Sequence, residues 1–243
     1  MIVNKLQLNN DKTDFFIASS PHHQKCLNHL TLTINNTTIT PSPTVRNLGV
    51  TFDSTMSMTP HVNNTCKSIN YHLRNISKIR KYIDTDTCHA AARALVLSRL
   101  DYCNSLFNGM KQSDICRLQK LQNNAARIIL TRPKYCHASP LLRQLHWLPV
   151  EKRIIFKTAT NIYKALSNAH PHYIINALDL SMPNRSGLRS GHNLKIPRTF
   201  KHAGDKAFSV AGPRCWNLLP LNIRNSNSLH QFKCKLKSYL FPT

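Results

Sequence analysis

The fold is decided by residues 59–81, which read TPHVNNTCKSINYHLRNISKIRK. Thr59 is a good N-cap and Pro60 suits the first helical position, so a helix is predicted to begin here. Apolar residues then recur at steps of four, three, four and three, which places them on one face of a helix: Val62, Cys66, Ile69, Leu73 and Ile76. The stretch therefore predicts an amphipathic helix that packs against further helices.

The opposite face of this predicted helix is basic. It carries Lys67, Tyr71, Arg74, Lys78 and Lys81, and it has no acidic residue. A solvated helix face normally mixes both signs of charge, because opposite charges one turn apart stabilise the helix. A face with only positive charge favours contact with a polyanion over simple solvation.

Two more helices are predicted directly after this one. The second runs from Asp84 to Phe107 and is apolar on most sides, so we expect it at the centre of its bundle. The third begins after Ser113 as N-cap and carries Lys120 and Arg127 together on its far face. Short connections join the three helices, so residues 58–132 are predicted to form a helical bundle.

The segment before this bundle has the pattern of short strands. Residues 1–57 are predicted as strands with turns, among them one strand from Val45 to Phe52 with Gly49 in its interior. Thr, Ser and Pro between residues 37 and 44 predict a loop. This segment is too small to close a sheet of its own.

The segment after the bundle, residues 133–243, is predicted to be basic and partly irregular. It begins with helices around Trp147, which is expected to anchor the core because Trp buries a large apolar area. Residues 181–198 form an extended connector that holds Arg185 and Arg189. The chain then ends in an amphipathic helix capped by Ser228. The predicted fold class is mainly α, with a helical bundle, a small β piece at the N-terminus and a basic C-terminal region.

Composition points to an anionic partner. The 243 residues include 33 Lys and Arg against 10 Asp and Glu, a formal net charge of +23, and 41% of the residues are hydrophobic. This composition supports a real core and excludes collagen, coiled coils and low-complexity chains. So large a positive excess indicates a polyanion partner, nucleic acid first and an anionic membrane surface second. No apolar run approaches a membrane span and no apolar leader is present, so an intracellular protein, nuclear or cytoplasmic, is expected.

The residues predict neither catalysis nor a bound metal or cofactor. The eight Cys are at least thirteen residues apart, so no local pair could hold zinc, and reduced, mostly buried thiols are expected. Phosphate-binding glycine loops and nucleophile motifs are also missing. Metal-dependent nucleotidyl transfer needs at least two converging carboxylates, and the ten acids are spread along the chain.

Seven runs of residues nevertheless resemble one family. They are similar to the C-terminal part of reverse transcriptases from LINE-type (non-LTR) retrotransposons, in the branch that includes the Jockey and Rex elements. No single run is specific for this family, but the combined order of the runs is. The runs are residues 5–14 (KLQLNNDKTD), 45–53 (VRNLGVTFD), 98–106 (SRLDYCNSL), 118–127 (LQKLQNNAAR), 145–150 (LHWLPV), 185–190 (RSGLRS) and 207–220 (AFSVAGPRCWNLLP).

The resemblance implies a division of the chain and a loss of activity. Residues 1–57 would be the end of the polymerase palm, residues 58–132 the thumb and residues 133–243 the C-terminal region. The catalytic aspartate pair of the family would lie before Met1. Lys12 matches a position near the incoming nucleotide and Gly49 a position near the primer, and both would be vestigial without that pair.

The expected function is therefore binding of nucleic acid without sequence specificity and without polymerase activity. The ligand would be an RNA/DNA hybrid, a duplex or RNA, held by the basic helix faces and the basic connector. Two alternatives to this function stay open. In the first, the chain is a decayed retroelement reading frame with no selected activity. In the second, it is a basic interaction module for an acidic protein or nucleolar RNA.

Overall fold

A computed structural model of the chain describes residues 9, 12–27, 29–34, 37–168, 172–178, 193–200 and 202–241. The chain divides into two compact units, Met1–Asn64 and Thr65–Thr243. The described residues are mainly helical, with two small sheets in the first unit, so the predicted fold class is confirmed at this level.

The first unit contains two antiparallel strand pairs and one short helix. The elements are α1 Pro21–Leu27, β1 Leu32–Ile34, β2 Thr37–Ile39, β3 Thr44–Asn47 and β4 Val50–Asp53. Strand β1 pairs with β2, and β3 pairs with β4. Two predictions are wrong here: helix α1 lies where only strands and turns were expected, and β2 occupies part of the predicted 37–44 loop.

The predicted strand from Val45 to Phe52 is in fact the β3–β4 hairpin. Asn47 pairs with Val50, so Leu48 and Gly49 form a two-residue turn, and their φ angles are +46° and +83°. Two successive positive φ values define a type I′ turn, whose twist matches that of the flanking strands. Gly49 therefore has a structural role at the turn, because glycine adopts a positive φ without steric cost.

The remaining elements are helices, beginning with α2, which starts in the first unit and continues into the second. They are α2 Thr59–Ile79, α3 Thr85–Ala92, α4 Ser98–Asp101, α5 Gln112–Ile129, α6 Ala138–Gln144, α7 Val150–Asn168, α8 His172–Ala177, α9 His202–Asp205, α10 Phe208–Asn217, α11 Leu221–Arg224 and α12 Leu229–Leu240.

Helix α2 confirms the sequence pattern from which the fold was predicted. It begins at Thr59, and all five members of the predicted apolar stripe are buried. The basic face is equally clear, because Lys67, Tyr71, Arg74 and Lys78 are exposed. Lys81 lies just beyond the helix in the 3-10 turn Arg80–Tyr82 and is also exposed.

The second predicted helix is shorter than expected. Its start is as predicted, because the Asp84 carboxylate accepts a hydrogen bond from the Thr87 amide at 3.2 Å. The segment passes from α3 through the π turn Arg93–Leu97 into α4 and then breaks at Cys103, whose φ is +50°. The residues before Phe107 form a separate 3-10 turn. No glycine or proline in this stretch indicates the break.

The third helix, α5, begins at Gln112, ahead of the predicted cap at Ser113. Its core-facing residues are buried, except that Ile128 is half-buried; the buried ones are Ile115, Leu118, Leu121, Ala125 and Ile129. Within the second unit, α5 packs against α3, α6 and α7. Helix α7 also contacts α8, α10 and α12, so it, and not the 84–107 segment, is the helix around which this unit is organised.

One hydrophobic core cluster of the second unit lies between α7, α10 and α12. Tyr163 stacks on Phe232 with ring centroids 4.3 Å apart, and Trp216 lies 5.9 Å from the same ring. The Tyr163 hydroxyl donates to the Ser226 carbonyl at 2.6 Å, so its one polar atom is paired. Gly212 brings α10 close to α7, because a Cβ there would lie 3.3 Å from Ile162.

Polar side chains from two of the runs that carry the family resemblance contact α7 and the segment that leads into it. The buried Gln122 donates to the Leu148 carbonyl at 2.9 Å, and Gln119 accepts from the Val150 amide at 2.8 Å, so the 118–127 run holds the 145–150 run. Asp101, in the 98–106 run, accepts both Nε and Nη2 of Arg153 on α7. These contacts give the runs a structural role in positioning α7.

Trp147 is a core residue, as predicted, with 4% of its surface exposed. Its Nε1 donates to Nε2 of His89 at 3.1 Å, so His89 must present an unprotonated Nε2. Burial, together with the nearby charge of Arg93, lowers the pKa of His89, while Asp86 acts in the opposite direction. The neutral form that accepts this hydrogen bond is therefore favoured.

The C-terminal helix α12 is capped as predicted, because Ser228 Oγ accepts from the Gln231 amide at 3.2 Å. Residues 194–196, in the predicted connector, form no strand. Leu194 instead exchanges two 2.8 Å hydrogen bonds with the side-chain amide of Asn217, which acts as a strand neighbour would. Part of the predicted connector, with Arg185 and Arg189, lies outside the described residues.

All eight Cys are free thiols, but the prediction that most are buried is wrong. Only Cys66, Cys88 and Cys215 are buried, and Cys26, Cys116 and Cys234 are exposed. Burial raises the pKa of Cys215 to about 11, so this thiol remains protonated at neutral pH. Within the described ranges, no helix is both long enough and apolar enough to cross a membrane.

Candidate nucleic-acid interface

One groove in the second unit collects positive charge. It is lined by α2, by the end of α5 and by the turn after α5, and its volume is about 1030 Å³. Six of its lining side chains are cationic and none is acidic: Arg74, Lys78, Arg80, Arg127, Arg132 and Lys134. Leu73 and Ile128 contribute its apolar part, and asparagine, serine and threonine side chains contribute neutral polar groups. We call this site the basic groove.

The end of α5 determines one wall of the basic groove. The Arg132 amide donates to the Arg127 carbonyl at 2.9 Å and the Thr131 amide to the Ile128 carbonyl at 3.3 Å, which together form a Schellman turn. Thr131 occupies the left-handed position of this turn with φ +51°, although it is β-branched. The turn reverses the chain and brings Arg132 and Lys134 to the groove.

Two of the six cations hold the groove together. The Arg80 guanidinium donates to the carbonyls of Ile83 at 2.8 Å, Ile129 at 2.8 Å and Ile128 at 3.1 Å, so it caps the C-terminus of α5. Arg127 donates through Nε and Nη2 to the Cys136 carbonyl at 3.1 and 2.9 Å. Their donors are largely occupied by backbone carbonyls, so both residues act mainly as structural cations.

The other four cations are available for a ligand. Arg74, Lys78, Arg132 and Lys134 are exposed, and among the described residues none of them has an acidic or hydrogen-bonding partner. Arg74 and Lys78 lie one turn apart on α2, and Arg132 and Lys134 lie on the opposite wall. Four unpaired cations facing one groove produce a strongly positive potential, because none of the described residues that line it is acidic.

Aromatic and neutral groups complete the edge of the groove. Tyr71 lines it and is 63% exposed. The neighbouring His72 ring lies 5.2 Å from the Tyr71 ring. Burial, and secondarily the charge of Arg99, lowers the pKa of His72, so this ring is uncharged at neutral pH and the positive charge here comes from Arg and Lys.

The structure brings together only part of the predicted site. Tyr71, Arg74, Lys78 and Arg127 line the basic groove, although Arg127 is half-buried and does not lie on an open basic face with Lys120. Lys67, Lys81 and Lys120 are exposed but do not line it.

In the first unit, Lys12 lies in an exposed turn, where its amide donates to the Asn9 carbonyl at 3.2 Å. Arg132 and Lys134 were not predicted as site residues from the sequence. Their only sequence signal is a charged Arg-Pro-Lys stretch directly after a helix.

A second cleft shows a different charge pattern. It has a volume of about 590 Å³ and lies between α7, α10 and α12. Here Asp205 accepts a 2.8 Å hydrogen bond from Arg214, so a carboxylate neutralises part of the positive charge. Of these two clefts, only the basic groove has cationic lining residues without an acidic one.

Comparison with protein-family models, with curated proteins and with solved structures gives no match for this chain. The site is therefore interpreted from its own residues and geometry.

Proposed function

We propose that this chain binds nucleic acid through its phosphates at the basic groove, without sequence readout and without polymerase activity. The observation that carries the proposal is a groove with four exposed cations on its walls, which have no acidic partner in the described part of the chain and no carboxylate among the described lining residues. Nucleic acid carries closely and regularly spaced phosphates, so several cations in one groove can be satisfied together. The net charge of +23 adds long-range attraction for the same ligand.

The proposal includes an origin for the chain. The seven runs resemble the C-terminal part of a LINE-type reverse transcriptase, and most of the basic groove lies in residues 58–132, the segment that would be the thumb. Within the described residues, no group of three or more His, Cys, Asp or Glu side chains could hold a metal ion. We expect purified chain to extend no primer on an RNA template in the presence of nucleotides and Mg²⁺, because its ten acidic residues are spread along the sequence.

The test of binding is a titration of a labelled oligonucleotide at several salt concentrations. A variant in which Arg74, Lys78, Arg132 and Lys134 are changed to Gln removes up to four phosphate contacts. Its slope of log K against log salt should be shallower by about 3, since each contact contributes about 0.7 to 0.9. The affinity at low salt should fall in parallel.

A matched control removes the same charge elsewhere. Lys111, Lys157, Lys164 and Lys237 are exposed and do not line the groove, so changing all four to Gln should alter the slope much less. Equal effects of the two variants would show that net charge, and not the groove, governs binding. No binding by the wild type at low salt would contradict the proposal outright.

A further inference from the structure

Exposed tyrosine rings stand beside the cations of the basic groove. Tyr71 lines the groove directly and is 63% exposed. Tyr135 follows the lining residue Lys134 in the chain and is 92% exposed. Tyr71 thus belongs to the α2 wall, whereas Tyr135 does not itself line the groove but follows Lys134, an unpaired cation of the opposite wall.

A third ring repeats this arrangement at the end of α2. Tyr82 is exposed, and the Lys81 ammonium lies 4.7 Å from the centre of its ring. The Lys81 ammonium covers one face of this ring, as in a cation–π contact. Tyr71, Tyr82 and Tyr135 are thus exposed rings that each have a cation close to them in the sequence.

Exposed aromatic rings beside cations distinguish between two forms of nucleic acid. In a duplex, the base faces are stacked on one another, so a protein side chain at the phosphates meets no base face. In a single strand, the bases can turn outwards and stack on aromatic side chains while the phosphates contact Lys and Arg. Cations alone would suit either form, whereas exposed rings beside them contribute only to the second.

We infer that the basic groove binds single-stranded nucleic acid, RNA or DNA, with bases stacked on Tyr71 and Tyr135 and phosphates on the neighbouring cations. The inference rests on the proposed function and narrows its ligand. It also differs from the expectation of a duplex or hybrid that the family resemblance implies. Stacking on a tyrosine ring is independent of base identity, because every base has an aromatic face, so sequence specificity is not expected.

The experiment compares a single strand with its duplex on the full chain. A twelve-nucleotide DNA strand that contains 2-aminopurine reports stacking by quenching of its fluorescence, and an RNA strand of the same sequence is the second arm. Wild-type protein should bind both single strands at least about 10-fold more tightly than the matching duplex, with quenching.

Changing Tyr71 and Tyr135 to Leu should weaken single-strand binding by about 10-fold or more and remove the quenching. It should leave the salt slope and duplex binding unchanged, because the cations remain. The Tyr→Phe pair keeps both rings and should bind like the wild type. Tyr173 is also exposed, and neither it nor its neighbours in the sequence line the groove, so Tyr173→Leu is the matched control.

The outcomes separate this inference from the proposed function. Equal affinity for duplex and single strand, or a single-strand preference that survives loss of both rings, would overturn the inference and leave phosphate binding intact. Failure to bind any nucleic acid at low salt would overturn the proposed function itself. Loss of binding in the Tyr→Phe pair would also contradict stacking, because that pair retains both aromatic faces.

Discussion

The sharpest stability prediction concerns Arg80, the cation that caps helix α5. Its guanidinium donates to the carbonyls of Ile83, Ile128 and Ile129 at 2.8 to 3.1 Å and to the Thr85 hydroxyl at 3.1 Å. We expect Arg80→Met to lower the free energy of unfolding by about 3 kcal/mol, at about 1 kcal/mol for each carbonyl that loses its donor. This total includes the favourable interaction of a cation with the helix C-terminus.

Urea unfolding followed by circular dichroism measures this loss. Arg74→Met is the matched control, because Arg74 lies in the same groove and has no partner among the described residues, so its effect should stay within about 0.5 kcal/mol. Arg80→Lys keeps the charge but loses the planar fork, so an intermediate loss is expected. A loss below about 1 kcal/mol for Arg80→Met would show that the cap does not stabilise α5.

Two further predictions follow from titratable groups. Because the folded state lowers the pKa of His89 below its ordinary value of 6.5, the unfolded chain binds more protons in acid. The contribution of His89 to stability should therefore be full above about pH 6.5 and decrease as the pH falls below it. In the His89→Gln variant, stability should decrease less steeply with falling pH. An unchanged pH dependence in that variant would contradict the account. Among the thiols, exposed Cys116 should react with a thiol reagent in the folded protein and buried Cys215 only after unfolding. Rapid labelling of Cys215 in the native chain would show that α10 is not packed as described.

The parts of the fold that were predictable from the sequence are those with a local cause. The helix over residues 59–79 follows from its cap and its apolar period, and Ser228 and Asp84 cap their helices through side chains within three residues. Such signals lie within one helical turn, so the sequence alone reveals them.

The parts that were missed have causes that are distant in sequence or unusual in residue type. Arg80 lies among other basic residues near the end of a helix, but two of its carbonyl partners, Ile128 and Ile129, are 48 and 49 residues away in the sequence. Cys103 and Thr131 adopt left-handed conformations where glycine is the usual signal, so neither the break after α4 nor the turn into the basic groove was visible. Gly49 was read as part of a strand because its positive φ is shared with Leu48, a residue that does not indicate a turn.

The same contrast applies to the candidate site. The basic face of α2 was predicted from its period, and Tyr71, Arg74 and Lys78 do line the groove. The opposite wall depends on the Schellman turn at the end of α5, so Arg132 and Lys134 became recognisable only in three dimensions.

The central claim is that nucleic acid occupies the basic groove, and photo-cross-linking tests it most directly. A short single-stranded oligonucleotide with a photoreactive base is irradiated on the full chain, and the cross-linked peptides are identified by mass spectrometry. The account predicts that cross-links concentrate at residues 71–82 and 131–135, on the two walls of the groove, and disappear in the variant that lacks its four unpaired cations. Cross-links that concentrate instead on α12 or on residues 193–200, and that persist in that variant, would contradict it.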